Sequence, residues 1–231
     1  RLAARGDVVI GFDLSRSVDQ VVRGLGGRAG VVVDVGSSEA VDAAVAAVID
    51  ECGRVDHVVA AGGIELTAPA HELDDATWSK VQRVNVDGTF FLARAVARTM
   101  IAAGRRGSVV LLGSINSSIA MPEQAAYVTS KGAVLQLGRG LAVDWGRYGI
   151  RVNVVAPGVI DTPLNARSFA DPSRIAYYAG RTPLGRHGTA DEVASVVAFL
   201  ASDDASYMTG AIVPVDGGWL AGELPPPRQE E

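Results

Sequence analysis

Tyr127 and Lys131 are the two side chains whose types and spacing most clearly suggest chemistry. They stand four residues apart in the run 126–131, and Lys131 is one of two lysines in a chain with nineteen arginines. Residues i and i+4 share one face of a helix, and a lysine cation beside a phenol favours the phenolate and lowers its pKa. The pair predicts a tyrosine that exchanges protons near neutral pH. The structural alternative is a half-buried tyrosine with a lysine extending past it to solvent.

Ser114 and Asn85 are polar residues at positions where the sequence predicts apolar surroundings. Ser114 follows the apolar run 109–113 and precedes Tyr127 by thirteen residues, so its hydroxyl could hold a carbonyl oxygen beside the phenol. Its alternative role is a local turn at the end of a strand. Asn85 falls on the apolar face of a predicted helix, where an unpaired amide costs about 1–3 kcal/mol. We therefore expect Asn85 to be hydrogen-bonded, in a structural or a catalytic role.

The elements that must position these residues alternate between short β-branched runs and longer helical patterns. This alternation is typical of βαβ units with a parallel sheet, and continuous apolar strands indicate helices on both of its faces. The fold class predicted is α/β, with one doubly wound parallel sheet of the Rossmann type. The predicted strands are 7–13, 30–35, 57–61, 108–113, 151–156 and 211–215, and the main predicted helices lie near 41–49, 74–103, 124–148 and 191–200. Residues 1–222 are predicted to form one domain, and the Pro-rich acidic tail, 223–231, to be disordered.

Composition excludes several classes of function. The net charge of −5 and the absence of a Lys/Arg-rich run argue against nucleic acid as a partner. Cys52 is the only cysteine and the three histidines are far apart, which predicts neither a disulfide nor a metal site. No apolar run approaches 18 residues and no signal sequence opens the chain, so we expect no membrane partner and a cytoplasmic location.

The set Asn85, Ser114, Tyr127 and Lys131 resembles the catalytic tetrad of the short-chain dehydrogenase/reductase (SDR) family. The likeness covers nearly the whole chain and includes the segments 55–56, 84–90, 156–162 and 215–218. It implies hydride transfer between a nicotinamide ring and an alcohol or carbonyl carbon. In that mechanism Tyr127 is the general acid or base, and Lys131 lowers its pKa and holds the nicotinamide ribose. Ser114 fixes the substrate oxygen, and Asn85 orders a water on the proton path.

Asp13 favours NAD over NADP as the cofactor. It ends an apolar strand, where a carboxylate accepts hydrogen bonds from the adenosine ribose and repels a 2′-phosphate. Arg16 lies near enough to keep NADP open, and Asp13 could instead cap the next helix. The resemblance implies further cofactor contacts, by Tyr127 and Lys131 and also by Asp34, Val35, Ala60, Ala61, Gly62, Pro157, Gly158, Ile160 and Thr162.

The chain departs from the family at its glycine-rich phosphate loop. Family members open with a strand and a Thr-Gly-x-x-x-Gly-x-Gly turn that holds the pyrophosphate, whereas residues 1–7 look like the end of the helix after that turn. We expect the recorded sequence to be truncated at its start. Because the missing strand is central in the family's sheet, two strand edges would then lack partners. A second departure is the run 60–63, Ala-Ala-Gly-Gly in place of Asn-Asn-Ala-Gly.

The substrate is predicted less directly. The segment 162–183 lies where the family places a variable substrate lid, and Asn116, Gln124 and Arg167 are candidate substrate contacts. A small polyol, sugar derivative or cyclic alcohol fits this mixed polar and aromatic set. One alternative is a 3-oxoacyl-thioester reductase that uses NADPH, and another is a catalytically inactive SDR-like subunit for assembly or binding. The resemblance also implies a homotetramer or homodimer.

Overall fold

The computed structural model describes residues 1–222, and the tail predicted to be disordered, 223–231, lies outside the described residues. The strands are β1 Ile10–Asp13, β2 Ala29–Val32, β3 His57–Ala60, β4 Gly107–Leu112, β5 Ile150–Pro157, β6 Ile160–Asp161, β7 Gly188–Thr189 and β8 Ile212–Val215. The helices are α1 Val18–Gly24, α2 Ser38–Cys52, α3 Asp75–Gln82, α4 Gly88–Ala102, α5 Ala125–Trp145, α6 Ala166–Phe169, α7 Pro172–Arg181 and α8 Ala190–Ala201. The alternation of strands and helices confirms the predicted α/β class.

Every strand pair is parallel. Strands β3, β4, β5 and β8 form a four-stranded sheet in that order, β1 pairs with β2, and β6 pairs with β7. Within residues 1–222, β1 pairs only with β2 and β3 only with β4, so each has one edge without a strand partner. The sequence predicted two such edges.

Helices pack on both faces of the four-stranded sheet. Val109 and Leu111 of β4 belong to a core shared with α2, α4 and α5. Val110, between them, belongs to a second core with α8. Successive strand residues point to opposite faces, so the two cores lie on opposite sides of the sheet. The predicted doubly wound arrangement follows from this alternation.

The largest departure from the predicted elements is in the helix expected over 74–103. It is divided into α3 and α4 by a π-helical turn, Arg83–Asp87, which contains Asn85. The helix expected over 124–148 is α5 followed by a 3₁₀ turn, Gly146–Tyr148. Such turns are set by tertiary contacts, which hydrophobic periodicity alone does not reveal.

Strand boundaries also differ from the predicted ones. β1 begins at Ile10 rather than at residue 7, and β2 spans 29–32 rather than 30–35. A strand needs a hydrogen-bonded neighbour, and the β1–β2 register begins only at Ile10 opposite Ala29. The predicted lid, 162–183, contains the short helices α6 and α7.

Candidate active site

The carboxyl ends of the parallel strands bring most of the predicted site residues to one edge of the fold. Each of these residues ends a strand or follows one by no more than a few positions. They are Asp13 at the end of β1, Asp34 and Val35 after β2, Ala60, Ala61 and Gly62 at β3, Ser114 after β4, and Pro157 and Gly158 at β5. In open α/β sheets this edge is where ligands bind.

Tyr127 and Lys131 lie on the face of α5 that packs against this edge. Tyr127 is 8% exposed and Lys131 5% exposed. The Lys131 Nζ donates a hydrogen bond of 2.8 Å to the carbonyl oxygen of Leu112, the last residue of β4. It lies 5.7 Å from the centroid of the Tyr127 ring. Lys131 therefore does not extend past the tyrosine to solvent, as the structural alternative required.

Burial sets the protonation of this pair. It raises the pKa of Tyr127 to about 12; the Ser114 hydroxyl lies close enough to oppose that rise, and the negative charge of Glu65 adds to it. Burial also lowers the pKa of Lys131 to about 8. The expected net lowering of the Tyr127 pKa is not seen in this structure, because desolvation of the phenolate dominates. That the Lys131 charge favours the phenolate during the reaction stays a prediction.

Asn85 is fully buried at the π-helical turn and connects three parts of the site. Its Nδ2 donates to the Ile64 carbonyl and to the Ser130 Oγ, both at 2.9 Å, and its Oδ1 accepts from the Ile64 N–H at 2.8 Å. Ser130 Oγ in turn donates to the Tyr127 carbonyl at 2.7 Å. The amide thus ties the segment after β3 to the turn of α5 that holds Tyr127.

Ser114 begins a 3₁₀ turn, Ile115–Ser117. Its Oγ accepts a hydrogen bond of 3.1 Å from the Asn116 N–H, and its own N–H donates to the Ser117 Oγ at 3.2 Å. The local turn given as an alternative for Ser114 is therefore present. It holds the hydroxyl beside Tyr127, so the two roles are compatible.

Asn116, Gln124 and Glu65 form a hydrogen-bonded chain next to the tetrad, here called the amide–carboxylate chain. Asn116 Nδ2 donates to the Gln124 Oε1, and Gln124 Nε2 donates to the Glu65 Oε1 at 2.7 Å. Burial raises the pKa of Glu65. The sequence analysis missed Glu65, although a lone acid in the small, apolar run 58–66 could have indicated it. The third candidate, Arg167, lies on α6, and its side chain lies outside what the structure describes.

The chain matches known proteins over nearly its whole length. A family model described as "Enoyl-(Acyl carrier protein) reductase", of the short-chain dehydrogenase type, matches residues 1–220. This chain belongs to the short-chain dehydrogenase/reductase family. It is 42% identical to galactitol 2-dehydrogenase (L-tagatose-forming) of Cereibacter sphaeroides, over 94% of this chain and 87% of that protein.

Two further proteins similar to this SDR are a second dehydrogenase and a solved structure. Cis-4-hydroxycyclohexanecarboxylate dehydrogenase of Sinomonas cyclohexanicum is 41% identical over 95% of this chain and 89% of that protein. A gluconate 5-dehydrogenase of Burkholderia cenocepacia J2315, solved in complex with NADP and tartrate, is 35% identical with a TM-score of 0.90. That likeness covers 96% of this chain and 88% of the other. The chain is accordingly an oxidoreductase that interconverts a secondary alcohol and a ketone with a nicotinamide cofactor, NAD or NADP.

The edge of this SDR at the ends of β1 and β2 carries two carboxylates with different surroundings. Asp13 is exposed and accepts one hydrogen bond, of 2.8 Å, from the Ser15 N–H. The N-cap of α1 is Ser17, so Asp13 is not the cap of that helix. Asp34 accepts from the Gly36 N–H at 2.9 Å and from Arg83 at 3.3 Å. Asp13 therefore keeps more of its acceptor capacity for a ribose than Asp34 does.

Two glycines allow segments of the chain to pack closely near Lys131 and after β5. A Cβ built on Gly63 would lie 3.4 Å from both the Lys131 Nζ and the Asn85 Oδ1. A Cβ on Gly158 would lie 2.7 Å from the Cα of Asp216, where the chain passes from β5 towards β6. Ile160 is buried in β6 and Thr162 follows that strand. These residues fit the two ends of a nicotinamide dinucleotide, and residues 1–222 contain no glycine-rich turn of the family type for its pyrophosphate.

Residues 1–222 lack two kinds of feature, a cluster of metal ligands and a membrane-spanning helix. Among residues 1–222, no three histidine, cysteine or acidic side chains come together as metal ligands would. None of the helices in that range combines the length and the apolarity needed to cross a membrane.

Proposed function

We propose that this protein oxidises a secondary hydroxyl of a small polyol, sugar derivative or cyclic alcohol to a ketone, and catalyses the reverse reduction, with NAD as the preferred cofactor. The relatives named for galactitol and for a hydroxycyclohexanecarboxylate support this range of substrates. The exposed Asp13 carboxylate supports NAD. Because a structural relative was solved with NADP, the experiment below compares both cofactors.

The observation that carries the proposal is the burial of Tyr127 and Lys131 beside Ser114 at the ligand-binding edge of the sheet. When bound, the nicotinamide ring accepts or supplies the hydride. The Ser114 hydroxyl holds the reacting oxygen, and the Tyr127 hydroxyl exchanges its proton with that oxygen. With a pKa of about 12, Tyr127 is protonated at neutral pH and holds the proton that reduction of a carbonyl requires.

Lys131 and Asn85 support this step in different ways. Lys131 supplies the donors that would hold a ribose, and its charge would stabilise a phenolate formed during oxidation. Both Nδ2 hydrogens of Asn85 are used, so only its Oδ1 keeps a lone pair that could accept from a water. We therefore give Asn85 mainly a positioning role, with the proton path as its second role.

The decisive experiment follows NADH absorbance with galactitol, cis-4-hydroxycyclohexanecarboxylate and gluconate as substrates, repeated with NADP. Tyr127→Phe should lower kcat by about 10²–10⁴-fold, the usual contribution of a positioned acid or base. Tyr148→Phe, at the exposed end beyond α5, is the matched control and should leave the rate unchanged. A Tyr127→Phe enzyme at full rate would overturn the mechanism, and a wild-type protein inactive on every alcohol would favour the non-catalytic subunit.

A second candidate substrate is an acyl thioester. The description of the matching family model, a reductase of acyl carrier protein substrates, favours including it. An acetoacetyl thioester with NADPH tests this function in the same assay. Assembly as a homotetramer or homodimer through α4 and α5, the cytoplasmic location and the division into a domain, 1–222, and a tail remain predictions.

A further inference from the structure

Glu65 is the acidic residue nearest the proposed reaction centre that the family tetrad does not account for. It lies five residues after the end of β3, and its side chain is only partly exposed. Among the side chains that the structure describes, no lysine or arginine pairs with it, and its hydrogen bond comes from the neutral amide of Gln124. A half-buried carboxylate without a cation is unfavourable in free energy, which makes such a residue a candidate for function.

The position of Glu65 is fixed from two directions. The preceding residue, Ile64, is held by both its N–H and its carbonyl on the Asn85 amide, at 2.8 and 2.9 Å. The carboxylate itself is held at 2.7 Å by Gln124, which lies three residues before Tyr127. Gly63, two residues earlier, passes beside the Lys131 Nζ. The segment 63–65 therefore lines the site with little freedom to move.

The charge of Glu65 reaches the reacting group. Its negative charge contributes to the raised pKa of Tyr127, which is the behaviour of a neighbouring anion. A substrate oxygen held by Ser114 and Tyr127 would lie within the same field. The Glu65 carboxylate would accept a hydrogen bond from a second hydroxyl of such a substrate and repel a carboxylate placed there.

We propose that Glu65, held by the amide–carboxylate chain, is a specificity-determining residue that selects neutral polyhydroxylated substrates over their carboxylate-bearing analogues. The proposal rests on the proposed function and deepens it. It distinguishes this chain's substrate class within a set of relatives that includes enzymes named for a neutral polyol and for acids.

Galactitol and galactonate test the proposal because they share one carbon skeleton and differ at a terminal carbon, CH₂OH against carboxylate. With saturating cofactor, kcat/KM of the enzyme is measured for each, and galactonate is also tested as a competitive inhibitor. Glu65→Gln keeps an acceptor for Gln124 and removes the charge. It should raise the galactonate-to-galactitol ratio by about tenfold or more, mainly through KM or Ki, because like-charge repulsion is lost.

Two further variants make the result specific. Glu65→Leu, which cannot accept a hydrogen bond, should lower kcat/KM for galactitol more than Glu65→Gln does. Glu72→Gln is the matched control and should leave the ratio unchanged. Glu72 lies on the same connection between β3 and α3, with a side chain that is 66% exposed. An unchanged ratio in Glu65→Gln, or a wild type that prefers galactonate, would overturn the proposal.

Failure of the Glu65 role and failure of the proposed function can be told apart. Turnover of a cyclic alcohol without binding of either galactose derivative would leave the dehydrogenase activity standing and overturn the role of Glu65. If no alcohol turns over, the proposed function fails. Calorimetric binding of galactitol and galactonate to wild type and Glu65→Gln then decides whether the carboxylate still selects by charge.

Discussion

The half of the molecule that carries the tetrad and the half that carries Asp13 are built differently. Four of the six residues of β4 are buried, whereas β1 and β2 contain no buried residue. Around β4 and α5 the polar side chains bond to one another and to backbone, but Asp13 stands exposed beside Leu14, itself 70% exposed. Chemistry and stability are therefore coupled in the first region, and cofactor choice is separable from stability in the second.

Lys131→Met should give the largest effect, because it should change activity and stability in opposite directions. Without an ammonium to hold the ribose and stabilise a phenolate, we expect kcat/KM to fall by about 10²–10⁴-fold. The folded protein should nonetheless become more stable at pH 7, by up to about 3 kcal/mol, because the buried cation is gone. Denaturant unfolding and steady-state kinetics of the same samples measure both changes.

The pH dependence of this gain has a definite sign. The pKa of Lys131 is about 8 when folded and near 10.5 when unfolded, so between these values the unfolded chain binds more protons. The free energy of unfolding of the wild type should therefore rise from pH 8 towards pH 10, and its gap to Lys131→Met should close. Lys80→Met, at the exposed second lysine, should parallel the wild type. A constant gap across this range would contradict the assigned burial.

Asn85→Leu tests the internal bonding of the catalytic region. The change leaves the N–H and carbonyl of Ile64 and the Ser130 hydroxyl without their partner. We expect unfolding to become easier by about 2–4 kcal/mol, as is usual for several buried polar groups left unpaired. Asn165→Leu, which removes one hydrogen bond to Ile160, is the control and should cost about 1 kcal/mol. Equal losses in the free energy of unfolding would mean that the hydrogen bonds of Asn85 contribute no more to stability than the single one of Asn165.

Asp13→Asn should change cofactor choice without changing stability. Loss of the charge removes the repulsion of a 2′-phosphate, so the NAD-to-NADP ratio of kcat/KM should fall by about tenfold. Thermal unfolding should stay the same, because the side chain accepts only one hydrogen bond. Asp50→Asn, exposed on α2, serves as the control. A shift in stability as large as that of Asn85→Leu would remove the distinction between the two regions.

The smallest effect is expected at Val32. This residue is 54% exposed on β2, so Val32→Thr should change the free energy of unfolding by less than about 0.5 kcal/mol. The same substitution at the fully buried Val110 of β4 introduces a hydroxyl into the core and should cost about 1–3 kcal/mol. Chemical denaturation of the pair compares the two regions with one chemical change. Equal costs at both positions would contradict the difference in burial.

The sequence predicted which residues come together at this edge better than it predicted their physical state. Tyr127, Lys131, Ser114 and Asn85 could be found because residue type and spacing carry their signal. The raised pKa of Tyr127 could not, since it depends on how far the folded surroundings exclude solvent from the phenol. Glu65 was missed for a related reason: its importance arises from Gln124, 59 residues away in the chain. The order of strands and helices could be predicted from hydrophobic periodicity. The π-helical turn could not, because that periodicity does not reveal it.

That turn also limits how this stretch of chain can vary in length. Each residue added to or removed from an α-helix rotates everything beyond it by about 100°. The extra residue within Arg83–Asp87 sets the angular phase between α3, whose Gln82 contacts the Ala126 carbonyl of α5, and α4, whose Ala93 is buried against the sheet. A single-residue deletion at Val86 is therefore expected to be absorbed by conversion of the π-helical turn to a regular α-helical one, whereas a further single-residue insertion would rotate one of the two faces out of contact.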